Sequence, residues 1–360
     1  MLATPTSRLQ IGLFLVNADG TGLRRIVDRD VMQAAWSPDG RSLAFVERRT
    51  GALTILDLAS QATRPLPVPR PGAPSWAPSD TARILVTAAG PDNAGRVLEV
   101  VDIASRERRT LAPALTGFWA PDVALGGETC DRLDHLRVYD LHSSEITELA
   151  PSYPNAAIFI SHDWRQIAYF REGPVYTADP AERSTLYVAN IGGSNEHALP
   201  TDSLRRGYPS WSPDGTWIEY TTRGDGGTEG APYLLRSDGT APFVQLAESG
   251  YASGWNSDSS QILVGTPGGL YAYDVRTDTR DAIASGITYH AAWSPDRLRI
   301  AYIAPVPGED AALFIDDLRT KQTVRVTDAT IYAAVPVWSP DGTAVTFLGI
   351  PGGYGTGPCE

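Results

Sequence analysis

The chain has 360 residues and a formal net charge of −12, from 42 acidic and 30 basic side chains. That balance lacks the basic footprint nucleic-acid binding requires, and no apolar run approaches the ~18 residues of a membrane-spanning helix. Two cysteines, Cys130 and Cys359, are too few and too far apart for a disulfide framework or a metal site of usual spacing.

In chain order, residues 1–10 read as an N-terminal tether with no visible signal peptide, 11–350 as one repeat-built domain, and 351–360 as a C-terminal tail. The 34 glycines and 28 prolines fall throughout, and no long helical periodicity interrupts them, so an all-β chain is expected. The first strand, Leu13-Phe14-Leu15-Val16-Asn17, precedes the first copy of a recurring turn, Trp36-Ser37-Pro38-Asp39-Gly40. Intact copies return at Trp211 and Trp338, and the copy at Trp293 lacks only its glycine, replaced by Arg297. Degenerate copies lie at Trp76, Trp119 and Trp255, and at Ile160, where Ile takes the anchor place. Successive anchors are thus 38 to 51 residues apart.

Proline presets φ, Asp offers a side-chain acceptor, and Gly tolerates the exit geometry, so each copy predicts a β-hairpin. Apolar strands follow the turns, as in Leu43-Ala44-Phe45-Val46, Ile167-Ala168-Tyr169-Phe170 and Ile300-Ala301-Tyr302-Ile303. Their lack of clean alternation suits strands buried on both faces. A second hairpin series interleaves with the first, as in Leu53-Thr54-Ile55-Leu56-Asp57 and Leu270-Tyr271-Ala272-Tyr273-Asp274.

Four strands per ~40–45 residues is the pattern of a β-propeller blade. The chain opens on a second hairpin and closes on an anchor hairpin, so its two ends are expected to share a sheet and leave no bare edge. The expectation is an eight-bladed propeller, seven blades contiguous and one composite. Seven blades in all is the alternative, because residues 123–127 (Val-Ala-Leu-Gly-Gly) make a poor second strand.

The Trp-Ser-Pro-Asp-Gly turn followed by an Ala-Phe or Ala-Tyr strand resembles the WD40-like PD40 repeat of TolB-like propellers, over about residues 11–349. The resemblance implies an extracytoplasmic bacterial protein, periplasmic or secreted, that binds a peptide or a protein. It does not extend to the small α/β domain and six blades of TolB, nor to the hydrolase domain beside peptidase propellers. No Gly-x-Ser-x-Gly elbow is present.

Loops leading into the innermost strands carry Tyr153, Tyr208, Tyr251, Tyr289 and Tyr332, with Arg205, Arg206 and His290 beside them. Aromatic and arginine side chains dominate binding hot spots. Arg205, Arg206, Tyr208, Tyr251, Tyr289, His290 and Tyr332 therefore make a candidate channel-mouth site for a peptide, protein or small polar ligand. The plain alternative is that the tyrosines pad the blade tops. The anchor tryptophans and turn aspartates are expected to be structural.

This favours a non-catalytic binding protein without cofactor or metal, with the oligomeric state open and a monomer as the default. One alternative is a hydrolase or lyase using His290 with the mouth carboxylates Asp179, Glu182, Glu309 and Asp310. Another is the sensor or scaffold part of a larger envelope protein. Of the five histidines only His290 is placed at the mouth, too few for a histidine-held metal. The segment 224–229 lacks the alternating ligands of a calcium loop.

Overall fold

Every well-formed Ser-x-Asp turn closes the first two strands of a four-stranded antiparallel sheet. The computed structural model describes residues 11–351 apart from 78–79, 91–94, 114–115, 121–122, 128–135, 141–145, 149–157, 164, 171–184, 191–193, 202–206, 223–229, 287–288 and 310. Within them, 28 consecutive strands form seven contiguous sheets, at 31–66, 75–113, 116–148, 158–198, 207–245, 251–285 and 289–325. These are blades 1 to 7 below. The four strands that remain, two from each end, make a further composite sheet, blade 8. Its order is Arg24–Val27, Gly12–Asn17, Ala344–Pro351, Ile331–Trp338. Contiguous sheets thus number seven, and the eighth exists only through pairing of the chain ends. Residues 123–127 pair along their whole length with strands on both sides.

The turn chemistry is local. Ser37 Oγ donates to Asp39 Oδ1 at 2.6 Å, and the Arg41 N–H donates to the same oxygen at 3.1 Å. The Ser42 N–H in turn donates to Ser37 Oγ at 2.9 Å. The same set recurs at Ser161/Asp163, Ser212/Asp214, Ser294/Asp296 and Ser339/Asp341. At the degenerate turn of blade 6, Asn256 Oδ1 replaces the serine hydroxyl as acceptor for the Gln261 N–H, at 3.0 Å. Gly40, Gly215 and Gly342 take positive φ of 68°, 72° and 68° at the turn exit, a conformation glycine adopts at no steric cost. Ser259 and Arg297 hold it without being glycine, at φ 60° and 62°.

The core lies between blades. Ala44, Val46, Leu53 and Ile55 of blade 1 pack against Trp76, Ile84, Val86 and Val97 of blade 2. Phe14, Phe347 and Trp338 of blade 8 pack against Ala301, Ile303, Leu313 and Ile315 of blade 7. Apolar strand faces meeting face to face supply the burial that drives folding.

The anchor tryptophans add a polar tie across four of these seams. The indole Nε1 donates to the carbonyl just before the preceding anchor: Trp76 to Ala35 at 3.1 Å, Trp211 to Phe159 at 2.9 Å, and Trp338 to Ala292 at 3.0 Å. Trp36 closes the ring onto blade 8 by donating to Thr346 Oγ1 at 3.0 Å and to the Val337 carbonyl at 3.4 Å.

Candidate functional site

Innermost strands converge on a central channel, and in blades 6, 7 and 8 those strands are bulged. Pairing slips between Ala252 and Gly254, between Tyr289 and Ala292, and between Ala334 and Val337. Each slip carries a residue at positive φ: Gly254 at 121°, His290 at 50° and Val335 at 52°. Bulges re-aim side chains, and strained non-glycine backbone concentrates at functional sites. A β-branched residue such as Val335 is an outlier at positive φ.

A cavity of about 700 Å³ opens beside these three bulges. Its polar lining includes Ser210, Glu219, Tyr251, Trp255 and His290, and its apolar lining includes Ile262, Ala291 and Val335. Such a volume suits a small-molecule ligand.

Glu219 is the unusual group. In every other blade, the residue that pairs with the one before the anchor is apolar or a threonine: Ala44, Leu85, Leu125, Ala168, Leu263, Ala301 and Thr346. Blade 5 puts Glu219 there, opposite Ser210. Only 5% of it is exposed. Two other buried glutamates have arginine partners: Glu47 pairs with Arg29, and Glu99 holds Arg108 through two bonds of 2.8 and 2.6 Å. Glu219 has no arginine partner among the described residues; the Thr221 hydroxyl donates to its Oε1. Burial therefore pushes its carboxyl up to about 8, against the smaller opposing effect of Thr221. At neutral pH it is a carboxylic acid with a proton to give.

The same seam lacks its indole tie. Trp255 Nε1 is buried without a hydrogen-bond partner, and so is Trp293 Nε1 one blade further on. By the pattern of the other seams, Trp255 should donate toward Ser210, and Trp293 toward Gly254 at its bulge. In the blade 8 to blade 1 seam, the residue in Glu219's place, Thr346, accepts the indole N–H. Glu219 and Trp255 therefore line one cavity, with the indole N–H itself buried behind its surface, and an unsatisfied buried donor is costly.

Of the sequence-derived site, Tyr251 and His290 line this cavity. Tyr332 lies half-buried on the inner strand of blade 8, paired with Ile350 and outside the cavity lining. Tyr208 and Tyr289 lie on the inner strands of blades 5 and 7, paired with Thr221 and Ile303; their side chains are outside the description. Arg205, Arg206 and Tyr153 lie outside the described residues, as do Asp179, Glu182, Asp310 and the segment 224–229. Glu309 is committed to Arg325, which donates to its carboxylate, so it is no cavity acid. Sequence reading missed Glu219. The signal was present: Ile167-Ala168-Tyr169 and Ile300-Ala301-Tyr302 correspond to Ile218-Glu219-Tyr220, a charge in an alanine's place.

Among the described residues, no three His, Cys, Asp or Glu side chains come together as a metal-binding group. No helix among them is long and apolar enough to cross a membrane.

No protein-family model matches the sequence, and no curated protein matches it. Solved structures share the fold. An oligogalacturonate lyase determined with manganese is 15% identical, with 95% of this chain and 97% of that chain covered and a TM-score of 0.56. A eukaryotic initiation factor is 14% identical over 93% of this chain and 88% of that chain, with a TM-score of 0.59. TolB from Acinetobacter baumannii is 20% identical over 67% of this chain and 64% of that chain, at a TM-score of 0.41. An enzyme and an initiation factor on one architecture establish fold alone. The TolB likeness is too low to carry an argument, so the resemblance read from the repeat narrows to its coarser part: this chain has a β-propeller fold.

Proposed function

We propose that the protein holds a small polar ligand in the central cavity and acts on it by acid–base chemistry of the hydrolase or lyase type. Glu219 is the proton donor and His290 the second ionisable group. The observation that carries this reading is the buried Glu219 carboxyl in the cavity lining, with no cationic partner among the described residues. A catalytic acid needs a proton at working pH, and desolvation is how a glutamate keeps one. In hydrolysis, the Glu219 proton passes to the departing oxygen or nitrogen as its bond to carbon breaks, the oxygen of a water bonds to that carbon, and the proton this water sheds returns to the Glu219 carboxylate. Strained backbone at His290 supports the same location.

The test is a panel of alkyl esters, alkyl amides and alkyl glycosides, whose leaving groups need a proton, assayed with the native protein and with Glu219→Gln. Turnover that declines as pH rises through about 8, and that is lost in the variant, supports the reading. Equal rates in both proteins across the panel sink it.

A second reading is binding without turnover. It draws support from the lining, where Glu219 and His290 are the only carboxylate and imidazole among the described residues. Ligand capture by Trp255 and Glu219 would then be the whole function. In either reading an extracytoplasmic setting is proposed from the repeat resemblance alone.

A further inference from the structure

Three of the five exposed large hydrophobic side chains among the described residues stand together at the channel: Val335 at 44%, Val337 at 40% and Met32 at 39% exposed. They line a groove of about 240 Å³ at the seam of blades 8 and 1, floored by Leu13, Phe347 and Leu348. Val335 lines both this groove and the 700 Å³ cavity, so the two adjoin at its side chain. The backbone there is held in a costly conformation, φ 52° for a β-branched residue, with Val335 left open to the channel rather than packed in the core. Apolar side chains grouped at the rim of a polar pocket mark a ligand surface.

We propose that the ligand is an amphiphile: a hydrogen-bonding head between Glu219, Trp255 and His290, and an unbranched or aryl apolar tail running past Val335 onto Val337 and Met32. This rests on the cavity reading above and adds the substrate class. The head meets the Glu219 carboxyl, which burial holds in its protonated form, beside the rings of Trp255 and His290 that line the cavity. It is therefore an acceptor such as an amide, ester or sugar oxygen. The tail gains by removing apolar surface from water on both sides.

The probe is the series of straight-chain amides from butanamide to decanamide, titrated by calorimetry at pH 7. Affinity should rise about fourfold per methylene until the groove is filled, then level off. Val337→Thr with Met32→Ser should flatten that rise; Val337→Thr preserves the β-branched strand residue, and an unchanged circular-dichroism spectrum shows that the fold is kept. A series that binds without chain-length dependence overturns the tail and leaves the head site standing. A rise that is the same in the double variant also overturns the tail. Absence of binding by every member overturns both proposals. Affinities unchanged across the whole series in Glu219→Gln uphold the groove and remove Glu219 from the head site.

Discussion

Trp338 donates its indole N–H to the Ala292 carbonyl at 3.0 Å, and so ties blade 8 to blade 7. The equivalent atoms of Trp255 and Trp293 are buried and donate to nothing. A repeated residue therefore does two jobs, and single substitutions separate them. Trp338→Phe keeps most of the packed ring, deletes the bond and leaves the Ala292 carbonyl without this donor. Its expected cost is about 1 kcal/mol. Trp255→Phe deletes a donor that had no acceptor, and its expected cost is below about 0.5 kcal/mol. Denaturant midpoints for the two variants check this, and equal losses would show that both indoles are bonded alike.

Glu219 makes stability depend on pH with a definite sign. Folded, it keeps its proton to about pH 8, whereas the ordinary value in an unfolded chain is 4.5. Between those limits the native state binds more protons than the unfolded state, so stability falls as pH rises. The contribution is complete below pH 4.5 and is lost progressively up to about 8, at a slope of up to about 1.4 kcal/mol per pH unit. Glu219→Gln abolishes this dependence. The check is the difference between wild-type and variant unfolding free energies across that range; a constant difference would mean that Glu219 is ionised in the folded protein.

What the sequence revealed was set by local chemistry, and what it hid was set by backbone register. The Ser-x-Asp turns are legible because their bonds stay within six residues, Ser37 to Ser42 being the pattern. The pairing of the chain ends follows from interleaved hairpins, and Phe14 does meet Phe347. The cavity is different. It depends on bulges at Gly254, His290 and Val335, none of which alters the apolar pattern of its strand. A one-residue slip reverses which side chains face the channel. Tyr251 lies four residues before its anchor and Tyr332 six before its own, and the two end in different surroundings. Glu219 was hidden for another reason: inside an otherwise apolar strand, one carboxylate stands out only when the strands of all blades are compared position by position.

Phe14 and Phe347 stack with ring centroids 5.3 Å apart at the join of the two chain ends. Both are buried, and Phe347 packs into the core between blades 7 and 8. Phe347→Ala removes a large core side chain where two strands from opposite ends of the sequence pair. The expected loss is about 3–5 kcal/mol. Phe347→Leu, which retains most of the volume, should cost less than half as much. Proteolysis should report where the damage is, with cleavage of Phe347→Ala appearing first in 12–27, the strands that the other end of the chain must recruit. First cleavage inside a contiguous blade would contradict the idea that the composite sheet is the ring's point of failure.

Arg297 and Ser259 occupy the glycine place of their turns at φ 62° and 60°, yet substitution by glycine should act on them differently. Left-handed backbone costs a residue with a Cβ about 1–2 kcal/mol, partly offset by the greater freedom of glycine in the unfolded chain. Arg297 also donates to the Asp258 carboxylate across the seam of blades 6 and 7, but both side chains are over a third exposed and such a pair is worth about 0–1 kcal/mol. Arg297→Gly should therefore be neutral to stabilising by up to about 1 kcal/mol, and more favourable at high salt, where the lost ion pair matters less. Ser259 is tied down: its hydroxyl accepts the Asp214 N–H at 3.0 Å and links blade 5 to blade 6. Ser259→Gly gives up that bond as it relieves the backbone, so it should gain nothing and should not respond to salt. Thermal unfolding of the two variants at low and high sodium chloride separates the cases. A loss in Arg297→Gly that persists at high salt would show that backbone strain does not govern these turns, and a gain in Ser259→Gly would show that strain outweighs its bond to blade 5.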